Sequence, residues 1–346
     1  MPIPLILAGI AIAAGTYGAV KGIEALDDFD EANSVNEQAK DIYDTASSNL
    51  EKARDAAQES LEDLGELKFA LYERRLIPFV AAFKKIHKID FQHDAIDAEL
   101  QLDVSEADML SIEDVSLKMS EVVGGGITAL GAGGLAGLAA YGSVGLIASA
   151  STGTAIASLS GAAATNATLA WLGGGALSAG GFGMAGGAYV LGGIVAGPVL
   201  AVGGMLLASK AEEAKHNAYS NLSEAKIAAE QMQAAQIATA GVHSHIKEIM
   251  NVLYELDETF EPLLEGLQSL VMNSPKNWSG KLDYTKLSKE DQVGVMASMM
   301  MAKTVKNILE TPILTERGIV NRASRQAVNE SHASLERIQE SLACLA

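Results

Sequence analysis

The sequence predicts an all-α protein: a long antiparallel helical bundle or coiled coil carrying a Gly/Ala-rich hydrophobic hairpin. Three observations predict it. Small and apolar residues recur at helical spacing through two long stretches, one on each side of the middle of the chain. No segment of the 346 residues keeps the period-two alternation of a half-buried strand. Between Glu121 and Lys210 lie 88 consecutive residues, Val122 to Ser209, without one Asp, Glu, Lys, Arg or His, and this block holds 24 of the 34 glycines.

The first element, residues 1–22, opens with an uncharged run from Met1 to Val20, ended by Lys21. A membrane-crossing helix needs about 20 mainly apolar residues, so the run is long enough to span. It has no basic start, which argues against a cleaved secretory signal. Gly18 and Gly22 place a small-residue face one turn apart. A membrane-seeking helix and a helix buried against the rest of the fold fit this segment equally.

Residues 23–120 read as long amphipathic helices. Ala39, Ile42, Ala46, Leu50, Ala53, Ala57, Leu61 and Leu64 step by 3, 4, 4, 3, 4, 4, 3, an eleven-residue period that gives a straight or slightly right-handed coil. The helix is expected to reach about residue 75, where Pro78 interrupts it.

Residues 121–210 are the predicted membrane hairpin. Val122–Ala150 and Ala176–Ala208 each exceed a bilayer-spanning length. The stretch between them, Ser151–Gly175, is more polar and forms the tip. The charged flanks, Lys118 and Lys210, would then lie on one side of a bilayer; three or four shorter crossings also fit. Glycine costs a helix in water about 1 kcal/mol relative to Ala, but in lipid small residues let helices approach closely. The pairs Gly133 and Gly137, Gly183 and Gly187, and Gly193 and Gly197 have that glycine-zipper spacing. Two other readings stay open: a helical hairpin enclosed in a soluble bundle, and a partial β-tongue.

Residues 211–272 are predicted to be coiled-coil helices. Ile246, Ile249, Leu253, Leu256, Phe260, Leu263, Leu267 and Leu270 step by 3, 4, 3, 4, 3, 4, 3, a heptad seam. Pro262 lies within it and predicts a kink or short break. The simplest packing runs the two long flanking sections antiparallel as a stalk. After a loop marked by Pro275, Asn277 and Gly280, residues 284–346 predict a C-terminal helical hairpin. Ser288 and Asp291 form its first cap, and Met296, Met299, Met300 and Met301 lie in a helix ending near Glu310. Pro312 and Gly318 precede a last helix, roughly Ile319–Leu345.

The chemistry expected is sparse. A net charge of −18 disfavours nucleic acid as a partner. The single cysteine, Cys344, excludes an internal disulfide and a cysteine-rich zinc site. A GxGxxG at Gly181, Gly183 and Gly186 lacks the acid about 20 residues later that a dinucleotide site needs. Ser223–Lys226 and Ser244–Lys247 match SxxK without companion motifs. His243 and His245 are two apart, which does not put them on one helix face for a metal. Asp27, Asp28, Asp30 and Glu31 lack EF-hand spacing. No enzyme, cofactor or metal is expected.

Long helices around an uncharged glycine-rich block, with another apolar segment at one terminus, resemble α-helical pore-forming proteins of the cytolysin A type. The hydrophobic hairpins of apolipoprotein L and colicin-type proteins are similar. The resemblance rests on residues 122–209 and their flanks. It implies a helical protein that inserts into a lipid bilayer, an inner or plasma membrane, from a soluble form. It would form or gate a pore as a homo-oligomer, with or without a second protein component, as a bacterial toxin or cell-death effector. The alternative is a membrane-anchored coiled-coil scaffold that opens nothing.

Overall fold

A computed structural model describes residues 16–89, 91, 104–126, 131–142, 211–276, 280–315 and 320–343. These residues are almost all helical, as expected of an all-α chain. Helix α1 runs from Thr16 to Leu71, and Gly18 and Gly22 fall in its first turns. Along it Ala39, Leu50, Ala57, Leu61 and Leu64 are buried, and Ile42, Ala46 and Ala53 are half-buried. Pro78 does not stop the chain. A π-turn over Tyr72–Leu76 precedes α2, Ile77–Phe83, which takes Pro78 into its first turn. Proline lacks an N–H and clashes with the carbonyl four residues back; the wider π-turn relieves both conflicts there.

Two very short strands, β1 (Ile86–His87) and β2 (Leu282–Asp283), pair in parallel. Two-residue ladders have no periodicity, so nothing in the spacing of residues marks them. Between them come α3, Glu106–Gly124, opened by a Ser105–Asp108 capping box, then α4, Gly131–Tyr141, and α5, Ala211–Asn273. Pro262 lies inside α5, which continues through it as helix. Helix α6, Lys289–Glu310, begins at the Ser288 cap, where the Ser288 hydroxyl accepts from the Asp291 N–H at 3.1 Å. Met296, Met299, Met300 and Met301 are all buried in it. An antiparallel bridge, Leu314 with Val320, turns the chain into α7, Arg322–Ala343.

The described residues divide into two compact units. The first takes α1 up to Lys52 and α5 up to Gln236; the second takes the remainder of both helices with α2, α3, α4, α6 and α7. In the first unit Ala32, Val35 and Ala39 pack against Ala218, Leu222 and Ala225, and Leu50 against Ala228, Met232 and Ala235. The Tyr219 hydroxyl donates to Glu31 at 2.7 Å, and the Asn221 amide to Asn36 at 3.1 Å. In the second unit Ser60 meets His243, Lys247 meets Asp63, and Arg75 meets Asp257 at 2.6 Å. Numbers rise together along both helices in each unit, so α1 and α5 run parallel. The expected antiparallel stalk is corrected accordingly.

The heptad seam is buried from Ile246 to Phe260, then moves by one residue. Leu264, Leu267 and Val271 are buried, whereas Leu263 and Leu270 are only half-buried. A straight helix drifts against a strict seven-residue repeat by about 20° per heptad, and this is enough to exchange neighbouring positions.

The membrane reading is overturned. Among the described residues no helix is long and apolar enough to cross a membrane. The described helix of the uncharged block, α4, has 11 residues, about 16 Å of rise at 1.5 Å per residue, against about 30 Å of hydrocarbon. Its Leu135, Ala136, Leu138, Ala139 and Ala140 are buried in the protein's own core. Pore formation, a toxin role and a membrane-anchored scaffold are therefore withdrawn; most of the predicted hairpin, residues 127–130 and 143–210, lies outside the described residues. Gly133 and Gly137 belong to this short buried helix rather than to a membrane glycine zipper. Gly183, Gly187, Gly193 and Gly197 lie outside the described residues, as do residues 1–15.

Candidate functional site

The most unusual chemistry lies where α1 passes into the π-turn. Leu61, Leu64, Lys68 and Leu71 continue the apolar spacing of α1, so Lys68 occupies a core position and is fully buried. Its amine donates to the backbone carbonyls of Ala139 in α4 and Leu309 in α6, both at 2.9 Å. Each carbonyl belongs to the last turn of a helix, where such groups lack intrahelical partners. One amine thus caps two helix C-termini, at the negative ends of both dipoles. Four residues on, the buried Tyr72 hydroxyl donates to the Glu310 carboxylate.

Burial in this low-dielectric site pulls the Lys68 amine down to about 7, while the nearby Glu310 charge pulls it back up. Burial likewise pushes the Tyr72 phenol well above its ordinary value, with the Glu310 charge and hydrogen bond adding to the effect. Two glycines let the backbones come this close. A Cβ on Gly65 would collide with the Leu135 carbonyl oxygen and lie 2.9 Å from the Leu135 Cα. Gly142 ends α4 with φ +65°, and a Cβ there would meet the Leu309 carbonyl oxygen and the Glu310 Cα, each at 2.9 Å. The Ile313 N–H donates to the Ala140 carbonyl at 2.8 Å, which closes the end of α4 further.

Glu310 also reaches a polar cleft of about 790 Å³ between α6 and α7, lined by Lys303, Lys306, Glu330 and Arg337 among others. The buried lysine cluster therefore borders solvent on the Glu310 side. Perturbed titratable groups in or beside a cleft mark candidate functional sites.

A second polar cluster joins α5 to its neighbours. His245 is hydrogen-bonded through Nδ1 to Glu248 and through Nε2 to Ser324, both at 2.8 Å. The connectivity is that of an acid–base–nucleophile trio. The Ser324 hydroxyl, however, is directed at the Asn321 carbonyl at 2.7 Å, and Ser324 is 2% exposed. The trio cross-links α5 and α7 with its hydroxyl buried. His243, two residues earlier, turns to α1, where its Nδ1 lies 2.6 Å from the Ser60 hydroxyl. The two histidines face different partners, in keeping with their spacing.

At the β1–β2 ladder, Lys88 adopts φ 64° and donates to Asp283 at 2.6 Å. That bond and the Thr285 hydroxyl hold the Asp283 carboxyl down at about 2.

None of Lys68, Tyr72, Glu310 or Gly65 was singled out from sequence. The signal for Lys68 was present, since it falls one step beyond Leu64 on the same seam. Of the residues predicted to form the seam on α5, Ile246, Ile249, Leu253, Leu256, Phe260 and Leu267 are buried in the second unit, and Leu263 and Leu270 are half-buried against it. No family model, curated protein or solved structure matches this chain.

Proposed function

We propose that the protein is a non-enzymatic helical assembly module, acting through helix–helix contact with further copies of itself. On this reading the first unit is a two-stranded parallel coiled coil and the second a helical bundle that anchors it. Neither a cofactor nor nucleic acid takes part. The observation that carries the proposal is the composition of the first unit's seam. Among the described residues, its buried apolar side chains are Ala32, Ala39, Ala218, Ala225, Ala228 and Ala235 beside four larger ones, Val35, Leu50, Leu222 and Met232. Alanine permits close approach but buries little, at about 25 cal/mol per Å² of apolar surface. Isolated helices gain most of their stability from packing of an apolar face, so a pair with this seam gains from further helices. Ile227, on the same stretch of α5, is 53% exposed and offers apolar surface for such contact.

Sedimentation equilibrium of the full chain tests this. The expected result is concentration-dependent self-association that Ile227→Glu weakens by at least tenfold, with helicity by circular dichroism unchanged. A wild-type chain that stays monomeric up to about 100 µM overturns the proposal.

A further inference from the structure

We propose that Lys68 is a proton-operated latch on α4: its amine, shared between the last turns of α4 and α6, fastens the two helices when neutral and loosens them when charged. The geometry supplies the fastened state. A neutral amine has two N–H donors, matching the two carbonyls it faces, Ala139 and Leu309. The third proton of the ammonium adds a full charge in a site with no exposure, where the described residues offer two carbonyl acceptors. The titratable groups facing Lys68 are Glu310 of α6 and Tyr72 of the π-turn. Helix α4 presents backbone carbonyl and carries no charged residue, its single titratable side chain being Tyr141. Glu310 and the negative ends of the two helices favour the charged form, and burial opposes it as the largest influence.

The sign follows from linkage. In the closed site the amine titrates near 7; in an opened, hydrated site it returns to the ordinary lysine range, about 10.4. Between these values the open form holds one more proton than the closed form, so closing releases a proton and is favoured by rising pH. Below about 7 both forms are charged and the latch is equally weak at every pH. The fastening therefore strengthens from near neutrality upward, by at most tenfold per pH unit for one linked proton.

Hydrogen exchange of the full chain between about pH 6 and pH 9.5, corrected for base-catalysed chemical exchange, reads this directly. Protection of the amides of Leu138–Gly142 should be flat below about 7 and then rise, approaching tenfold per pH unit. Lys68→Met should abolish the rise. Glu310→Gln removes the charge that holds the proton on, and should move the onset to lower pH; this variant decides the matter if Lys68→Met does not fold. Protection that is independent of pH in the wild type, a rise that persists in Lys68→Met, or an onset unmoved in Glu310→Gln would each overturn the latch.

Discussion

Gly65 and Gly266 sit in helical backbone, yet substitution should act on them in opposite directions. Ala is favoured over Gly in a helix interior by about 1 kcal/mol. At Gly266 nothing lies within 4 Å of an added Cβ, so Gly266→Ala should raise stability by up to about 1 kcal/mol. At Gly65 the added methyl meets the backbone of Leu135, which cannot move without displacing α4. Overpacking of this kind costs about 1–3 kcal/mol, and Gly65→Ala should lower the denaturation midpoint. Paired urea titrations would check both; equal and positive shifts would show that α4 does not press on α1 at this point. Lys68 gives the corresponding lesson for reading a sequence. Its place on the apolar seam was visible, but spacing cannot say which two carbonyls a buried amine will meet. Those carbonyls come from residues 139 and 309, far from it in the chain.

At the scale of elements, local signals were the most legible. The seams of α1 and α5 were read from spacing, and the Ser288–Asp291 cap from residue type. What spacing does not encode is direction: a buried stripe is the same stripe whether its partner runs parallel or antiparallel, and α1 with α5 chose the former. Nor does an uncharged composition distinguish a lipid environment from a protein core, since both exclude charge for the same reason of lost solvation. The uncharged α4 accordingly lies in the protein core while its composition would suit lipid equally. Neither proline ends its run of helix: Pro78 follows a π-turn and enters the first turn of α2, and Pro262 lies within α5. A cap missed from sequence, Ser105, offers a test. Its hydroxyl accepts from the Asp108 N–H at 3.2 Å while its own N–H donates back to the Asp108 carboxylate at 3.0 Å. Ser105→Ala should cost about 0.5–2 kcal/mol and should lower the protection of the first turn of α3 more than that of α6. A uniform loss across both helices would argue against a local capping role.

For the whole molecule the dominant fact is charge. A chain at −18 repels a second copy of itself, and self-association through apolar helix faces must overcome this. Raising ionic strength from about 0.05 to 0.5 M shortens the screening length severalfold. The association proposed for the first unit should tighten accordingly, by an estimated tenfold or so in dissociation constant for a contact opposed by net repulsion. Sedimentation at both salt concentrations measures it. Weaker association at high salt would mean that opposite charges, not apolar surface, hold the copies together.

The cap that Lys68 places on α4 and α6 also sets an order of events in biosynthesis. The lysine and α4 leave the ribosome well before Leu309 does, and at 5–20 residues per second the interval between residues 139 and 309 lasts roughly 10–30 s. Throughout that interval a nascent α4 has its apolar side chains and one of its two anchors, but not the helix that completes the other half of the clasp. Truncation anywhere before α6 would freeze the chain in that half-finished condition.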